Sequence, residues 1–348
     1  MGENQAKPKS RAGSGLAWIG MGISLVAVAI LVWKIDFSAV KTALARAELV
    51  WLAPAVAVFI GIFILRAWRW SVLLGGTPFW PTFHANNIGY MLNVTLPLRM
   101  GEIARVFVVS RAGGVGMAKA FSIAFVERLL DLGAVVVMFA VFAQFIPMGP
   151  SFERAATMGL VAVVGAVIGG LVVVWKGDAV AHWVRPRLLR FGEARADALI
   201  ARFREVVDAF RSLGTLQSIA RVGALTVAVW AMTILCAAIS MRAFLPGHAD
   251  FAKAGLVVVV ANLGGAVPSA PGGLGIVQGF ATSALVIPFH VPEGEALAFV
   301  LVWTLGSQAL CVLLGLGGMT RVGMSFSEIR AGAEKGGKSD SEAPPPAP

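Results

Sequence analysis

The sequence predicts an all-α fold: a polytopic transmembrane bundle with six full spans, two re-entrant broken-helix hairpins and an internal inverted repeat. Of the 348 residues, 57% are apolar and only 14% are charged. A water-soluble globule of this size could not bury so much apolar surface, so lipid must act as part of the solvent. In addition, long apolar stretches recur along the chain, and two of them are interrupted by Pro, Gly and Asn.

The six spans each contain roughly the 20 mostly apolar residues that a helix needs to cross the hydrocarbon core. They are residues 16–33, 51–72, 120–146, 156–175, 219–245 and 296–320. No small-residue cleavage site follows the first stretch, so we interpret it as a span and not as a signal peptide.

Two further apolar stretches, residues 84–110 and 251–288, are broken near their centres. The first contains Pro97 and Gly101, and the second contains a Gly-rich segment around Pro271. Lipid cannot form hydrogen bonds with broken backbone, which must therefore be buried in protein or line a water-filled cavity. Each stretch is thus predicted to be a re-entrant hairpin of two half-helices.

The distribution of charged residues among the connectors predicts how the chain is oriented in the membrane. The net charge is +10, and the connector 176–218 carries eight basic and five acidic residues. The connector 288–295 carries only Glu293 and Glu295. Because excess Lys and Arg mark cytoplasmic loops, we expect both termini to be cytoplasmic. The predicted organisation is a tail over 1–15, a transmembrane domain over 16–326 and a disordered tail over 327–348.

The order of span, broken hairpin and span occurs twice, over 51–146 and 219–320, with reversed direction in the membrane. Inverted repeats with discontinuous helices are typical of transporters. The alternative is that Pro and Gly are simply commoner in membrane helices than in soluble ones.

The connector 176–218 is predicted to contain an amphipathic helix. Its apolar side chains recur at helical spacing, namely Leu199, Phe203, Val206, Phe210 and Leu213. Such a helix either lies on the membrane surface or packs as a cytoplasmic helix, and the pattern fits both.

Ionisable residues within membrane segments are costly and are therefore functional candidates. They form two groups: Arg99, Glu102 and Arg105 after Pro97, and Glu127, Arg128 and Asp131 inside the span 120–146. Helical spacing predicts i,i+3 pairs of Glu102 with Arg99 and Arg105, and of Arg128 with Asp131. Guanidinium groups bind phosphate well, so a lipid phosphate is a natural ligand. The alternatives are mutual neutralisation near the interface and an ion network that only fixes helix packing.

Other polar residues complete the candidate set. Asn93, Asn262, Gly272 and Gly273 lie beside the two breaks and could contact substrate. Arg66 and Arg69, with neighbouring tryptophans, are interpreted as an interfacial belt. The four histidines are scattered, so no metal site is predicted, and the Gly-rich segment lacks the Lys-Ser/Thr of a nucleotide loop.

Three segments together resemble the lysylphosphatidylglycerol synthase transmembrane-region family. They are Asn93 to Arg105, Glu127 to Asp131 and Val267 to Gly275. The resemblance covers about residues 15–320 and implies a polytopic domain with re-entrant helices that moves an aminoacylated phospholipid between leaflets. It implies that Arg99, Glu102, Arg105, Glu127, Arg128 and Asp131 line the polar pathway. The family typically has Glu where this chain has Gln278.

We therefore expect a protein of the bacterial inner membrane that translocates a phospholipid or lipid-linked headgroup and is not an enzyme. No cofactor is expected, and the chain ends soon after its last span, so lysyl transfer from tRNA is not expected. One alternative is a membrane-embedded transferase acting on a lipid or polyprenyl phosphate, with Glu127 or Asp131 as general base. Another is an accessory subunit that binds a synthase through the connector helix.

The expected partners are the lipid substrate and the membrane, and not nucleic acid. The sequence leaves open a homodimer and a cytoplasmic lipid-modifying enzyme as further partners.

Overall fold

The computed structural model describes residues 37–96, 100–144, 176–211, 216–266 and 271–326, with single positions in 154–169 and 328–332. The predicted spans 16–33 and 156–175 lie outside these ranges, apart from the single positions. The predicted N-terminal tail and Arg99 lie outside them as well, and of the predicted C-terminal tail only Glu328, Ile329 and Gly332 are described.

Over the described ranges the chain forms eleven α-helices and no strand, so the all-α prediction is confirmed. The helices are α1 (Phe37–Arg46), α2 (Leu52–Leu73), α3 (Phe79–Thr95), α4 (Gly101–Gly113), α5 (Met117–Ala143), α6 (Gly177–Leu188), α7 (Glu193–Arg211), α8 (Leu216–Phe244), α9 (Phe251–Ala266), α10 (Ile276–Phe289) and α11 (Glu293–Val322).

Three of the described segments are long and apolar enough to cross a membrane. They are Leu49–Leu73, Gln217–Phe244 and Glu293–Val322, and they coincide with three of the predicted spans. The predicted span 120–146 corresponds to α5, which is 27 residues long but carries three charged residues near its centre. At about 1.5 Å per residue its length is about 40 Å, which also suffices to cross the hydrocarbon core.

The two predicted hairpins are broken helices. The half-helices α3, α4, α9 and α10 contain 17, 13, 16 and 14 residues, and each is shorter than the roughly 20 residues that a span needs. The second half-helix of each hairpin begins at a glycine: α4 begins at Gly101, and Gly275 caps α10. Gly272, Gly273 and Gly275 all have positive φ, which favours glycine at the second break.

The helix contacts match the predicted internal repeat. In the first half, α3 packs against α2 and α4, and α4 packs against α5; in the second half, α9 packs against α8 and α10, and α10 packs against α11. Across the halves, α2 packs against α8, α3 packs against α11, and α9 packs against α5. The counterparts in the two halves are α2 and α8, α3 and α9, α4 and α10, and α5 and α11. When each helix is replaced by its counterpart, the same pairs of helices are in contact.

The apolar core has two main clusters, and α5 and α11 each pass through both. In α5, residues from Ala120 to Val126 belong to one cluster and Val135 to the other. In α11, residues around Phe299 belong to the second cluster and Val312 packs against the first. Buried or paired polar side chains lie between the two apolar segments of each helix, namely Glu127, Arg128 and Asp131 in α5 and Thr304 and Gln308 in α11. These side chains form a polar layer between the two clusters.

Glycines allow the closest approach of helices across the two halves. A Cβ added at Gly315 of α11 would collide with Met91 of α3, and one added at Gly255 of α9 would collide with the ring of Phe142 in α5. These two contacts join helix pairs that are equivalent when the halves are exchanged, although the glycine lies on α11 in one pair and on α9, the counterpart of α3, in the other.

The connector contains a helix, α7, that includes most of the predicted amphipathic stretch. The fully buried residues of α7 include Ala196, Ile200 and Val207, whereas Leu199 is 51% exposed. Helix α7 packs against α5 and α6, and Val207 lies over Gly177.

We predict that Gly315→Ala lowers the free energy of unfolding by about 2 kcal/mol, because the added methyl group must displace Met91 from a packed core. Gly317→Ala is the matched control, since a Cβ at Gly317 meets nothing within 4 Å. Thermal unfolding of both variants in detergent, followed by circular dichroism, measures the difference. Equal unfolding temperatures would contradict the close packing of α3 against α11.

Candidate functional site

A buried arginine of α2 holds two carboxylates of α5. Arg69 Nη2 lies 2.8 Å from Glu127 Oε1, and Arg69 Nη1 lies 2.7 Å from Asp131 Oδ1. Arg69 Nη1 also donates to Thr226 Oγ1 of α8 at 3.3 Å. The Arg69 and Glu127 side chains are fully buried. Charges in such an environment must be paired and hydrogen-bonded, so this group fixes α2, α5 and α8 relative to one another.

A second arginine joins α4 to the same carboxylate. Arg105 Nη1 lies 2.6 Å from Glu127 Oε2, and its Nη2 lies 2.7 Å from Glu102 Oε2. Arg105 Nη1 also donates to Asn86 Oδ1 of α3 at 3.2 Å, and its guanidinium lies 4.7 Å from the Trp70 ring centroid. Arg105 is therefore enclosed, and its guanidinium is ion-paired with two carboxylates.

A third arginine, Arg128 of α5, is held much more loosely. Its ion-pair distances are 3.3 Å to Asp131, 3.8 Å to Glu127 and 3.9 Å to Glu102. The Arg128 side chain is 39% exposed and that of Glu102 is 28% exposed. These two side chains form the accessible edge of the cluster. Arg69, Glu127 and Arg105 form its buried part.

Helix α3 borders the cluster with amide and phenol groups. Asn93 Nδ2 donates to Glu102 Oε1 at 3.3 Å, and Asn86 contacts Arg105 as described. Tyr90 lies between these two residues along the same side of α3. Gly89 lets α3 approach α4 closely, since an added Cβ would be 2.8 Å from Arg105 Cβ.

The charges of the cluster cancel. Three guanidiniums face three carboxylates, which gives a net charge of zero. They belong to Arg69, Arg105, Arg128, Glu102, Glu127 and Asp131.

The predicted site residues fall into two groups. Glu102, Arg105, Glu127, Arg128, Asp131 and Asn93 are brought together, and the predicted i,i+3 pairs Glu102–Arg105 and Arg128–Asp131 form. Arg99 lies outside the described residues. The interpretation of Arg69 as part of an interfacial belt is wrong, because its side chain is buried at the centre of the cluster. In the segment Glu127 to Asp131 two carboxylates accompany one guanidinium, and this local surplus of negative charge was the available signal for a missing cation.

The residues predicted from the second hairpin make different contacts. Asn262 is exposed, and its Nδ2 donates to Val258 O of its own helix at 2.8 Å; it does not take part in the charged cluster. The carbonyl of Gly272 accepts from Gln308 Nε2 at 2.8 Å. The turn Pro271–Gly273 packs against α3, so the second break lies next to the first hairpin.

Gln278 has a structural role that its amide chemistry explains. Its Oε1 accepts from the Gly275 N–H at 2.7 Å, and its Nε2 donates to Thr304 Oγ1 at 3.1 Å. The Thr304 hydroxyl donates its single proton to Val300 O at 2.7 Å. A neutral amide therefore links the start of α10 to α11 with both of its ends.

We predict that Arg69→Gln lowers the free energy of unfolding by about 3–5 kcal/mol, because it leaves buried carboxylates short of a counter-charge. Arg221→Gln, on the exposed side of α8, is the matched control and is expected to have little effect. Unfolding temperatures in detergent measure both. An Arg69→Gln protein as stable as the control would show that the buried pairs do not hold the fold.

We predict that Gln278→Glu also destabilises the protein, by about 1–3 kcal/mol. The new carboxylate could still accept from Gly275, but it would face the Thr304 oxygen, whose proton is already donated to Val300. Gln217→Glu, at the exposed start of α8, introduces the same charge as a control. If the two variants unfold at the same temperature, the Gln278–Thr304 hydrogen bond does not contribute.

Curated relatives of the chain are archaeal. It is 24% identical to "Glycosyltransferase AglD" of Haloferax volcanii, in an alignment that covers 88% of this chain and 54% of that protein. It is 22% identical to "UPF0104 membrane protein" of Methanothermobacter thermautotrophicus, covering 88% of this chain and 94% of that protein. The chain thus spans about half the length of the first relative. No solved structure matches the chain significantly.

The expectation that the chain is not an enzyme is contradicted by these relatives. The first of them is named as a glycosyltransferase and aligns with most of this chain. The sequence could not show this, because none of its motifs identifies a transferase site.

The family comparison covers nearly the whole chain. The model of the family described as "Lysylphosphatidylglycerol synthase TM region" matches residues 17–315. That range includes the charged cluster, both broken hairpins, the long apolar helices α2 and α8, and most of α11. The resemblance inferred from the three sequence segments is confirmed, and the protein is a membrane protein that belongs to the lysylphosphatidylglycerol synthase transmembrane-region family.

Proposed function

We propose that the protein translocates a phosphate-bearing lipid between the leaflets of its membrane, with Arg128 as the group that contacts the phosphate. The observation that carries the proposal is the contrast among the three arginines. Arg69 and Arg105 make ion pairs of 2.6–2.8 Å and are enclosed, whereas the contacts of Arg128 are 3.3–3.9 Å and its side chain is 39% exposed. This revises the expectation that Arg105 binds phosphate directly.

The surroundings of Arg128 favour a lipid over a soluble anion. Phe125 and Leu132 are exposed and lie three residues before and four residues after Arg128, so all three share one side of α5. A lipid could place its acyl chains along this apolar side while its phosphate reaches Arg128. Glu102, also at the accessible edge, would orient Arg128 through their long ion pair.

The buried part of the cluster, formed by Arg69, Glu127 and Arg105, allows Arg128 to bind a ligand. Because Arg69 and Arg105 neutralise Glu127 internally, Arg128 can exchange its weak protein contacts for a bidentate phosphate contact. The exchange would leave no carboxylate buried without a partner.

The broken hairpins provide the route in this proposal. Both would be re-entrant, entering from opposite sides, with both termini cytoplasmic. Their half-helices are too short to span the bilayer alone, and the second break packs against α3 beside the charged cluster. The headgroup would cross along this junction while the acyl chains stay in lipid. A cytoplasmic lipid-modifying enzyme could supply the substrate, and a homodimer is compatible with the same route.

A second candidate function is transfer of a sugar to or from a lipid phosphate, which the relative named as a glycosyltransferase favours. Glu127 and Asp131 are bound to Arg69 and buried. Glu102 is also paired, with Arg105 at 2.7 Å, but its side chain is 28% exposed, so it is the more accessible base for such a reaction. Covalent turnover of a labelled lipid phosphate and sugar donor by the purified protein, lost in Glu102→Gln, would favour this function over translocation.

We predict that Arg128→Gln slows lipid translocation at least about tenfold, because a charge-assisted contact to phosphate is worth more than one factor of ten in affinity. The measurement is dithionite quenching of a fluorescent phosphatidylglycerol in proteoliposomes. Arg111→Gln, which removes an exposed guanidinium over Phe107 in α4, is the matched control. Equal rates for wild type and Arg128→Gln would refute the assignment, and absence of protein-dependent quenching would refute translocation of this lipid.

A further inference from the structure

A second polar group lies beside the charged cluster, between α2 and α3. Arg66 Nη1 donates to the Tyr90 hydroxyl at 2.8 Å, and the guanidinium lies 5.3 Å from the Tyr90 ring centroid. In the part of the chain that the structure describes, no carboxylate forms an ion pair with Arg66. Arg66 is half-buried within α2, so it brings an uncompensated positive charge into a membrane span.

A buried amide on α3 is the second observation. Asn87 is fully buried, and neither its Nδ2 nor its Oδ1 has a hydrogen-bond partner among the described residues. Buried polar groups without a partner are rare because they lose their hydrogen bonds to water. Such an amide is expected where a ligand or an ordered water supplies the missing hydrogen bonds.

The helical positions place this amide on the side of α3 that faces α2 and α11. On α3, Tyr90 contacts Arg66 and Phe63 of α2, whereas Met91 lies against Gly315 of α11. At about 100° per residue, Asn87 falls between these two sides. It therefore borders the same junction of α2, α3 and α11, one turn before Tyr90.

The net charge of the polar residues limits which lipid headgroup can bind here. The six-residue cluster is neutral, so Arg66 raises the described polar region to a net charge of +1. A phosphodiester with an uncharged head carries one negative charge and would neutralise it. A lysyl-modified phospholipid has a net positive charge and would leave the region more positive than before.

We propose that Arg66, Tyr90 and Asn87 form a binding site for a lipid phosphodiester whose head is uncharged and carries hydroxyl groups, such as glycerol or a sugar. At this position, which is separate from Arg128 along the proposed route, Arg66 donates to a phosphate oxygen and the Tyr90 hydroxyl supports the guanidinium. The Asn87 amide binds a hydroxyl of the head with both a donor and an acceptor. The inference rests on the proposed function, since the ligand is the lipid that the protein would translocate, and it names the class of headgroup.

The experiment measures binding of defined lipids to the full-length protein in detergent by native mass spectrometry. The probes are phosphatidylglycerol, phosphatidylcholine and lysylphosphatidylglycerol, with inorganic phosphate as a soluble competitor. The expected result is preferential binding of phosphatidylglycerol, weakened at least about tenfold by Arg66→Gln and also weakened by Asn87→Leu. Arg242→Gln, which removes an exposed guanidinium lying over Trp51, should bind as wild type does.

Asn87→Leu gives an independent check, because it replaces an unpartnered amide by an apolar group. It should raise the unfolding temperature without lipid while it lowers the gain in unfolding temperature on adding phosphatidylglycerol. Arg66→Lys keeps the charge and serves if Arg66→Gln fails to fold; it should retain the preference for phosphatidylglycerol over the lysyl lipid.

Three results would overturn the inference: equal binding of phosphatidylglycerol and the lysyl lipid, unchanged binding in both Arg66→Gln and Asn87→Leu, or full displacement by an equal concentration of inorganic phosphate. Translocation is assayed separately in proteoliposomes. Selective binding without translocation would refute the proposed function alone, and translocation without selective binding would refute this site alone.

Discussion

The fold depends on the buried contact between Arg69 and the carboxylates Glu127 and Asp131. Removing three charged groups from water is costly, and only short, well-directed contacts at 2.7–2.8 Å offset that cost. These contacts join α2 to α5, and the hydroxyl of Thr226 extends them to α8. Because Glu127 also holds Arg105 of α4, a single carboxylate connects the long helices to the first broken hairpin.

In this arrangement, the ion pairs that hold the helices together and the arginine that is accessible to a ligand are different groups. The two enclosed arginines satisfy the buried carboxylates, and the loosely held Arg128 lies at the edge beside exposed apolar side chains. A lipid headgroup could therefore bind at the edge without disrupting the pairs that hold the helices. The same cluster can be both a structural ion network and part of a site, which were alternatives at the level of sequence.

The sequence predicted the order of helices and the positions of both breaks, because glycine and proline mark where a helix must stop. It also predicted the i,i+3 pair of Glu102 and Arg105, which depends only on helical spacing. It failed for Arg69, because an arginine near the end of a span can equally lie at the interface. The role of Asn262 was also unpredictable, since a residue's position beside a break does not show which way its side chain points.

The polar layer differs between the two halves. In the first half it is built from ions on α2, α4 and α5, and in the second from the neutral Gln278, Thr304 and Gln308. The helix contacts of one half correspond to those of the other, but the polar side chains of the two halves differ in their free energy of solvation. If the halves exchanged roles during a working cycle, the two end states would expose different chemistry to water and would differ in free energy. The ligand-free protein would therefore rest mainly in one of them, and a bound headgroup would have to supply the difference.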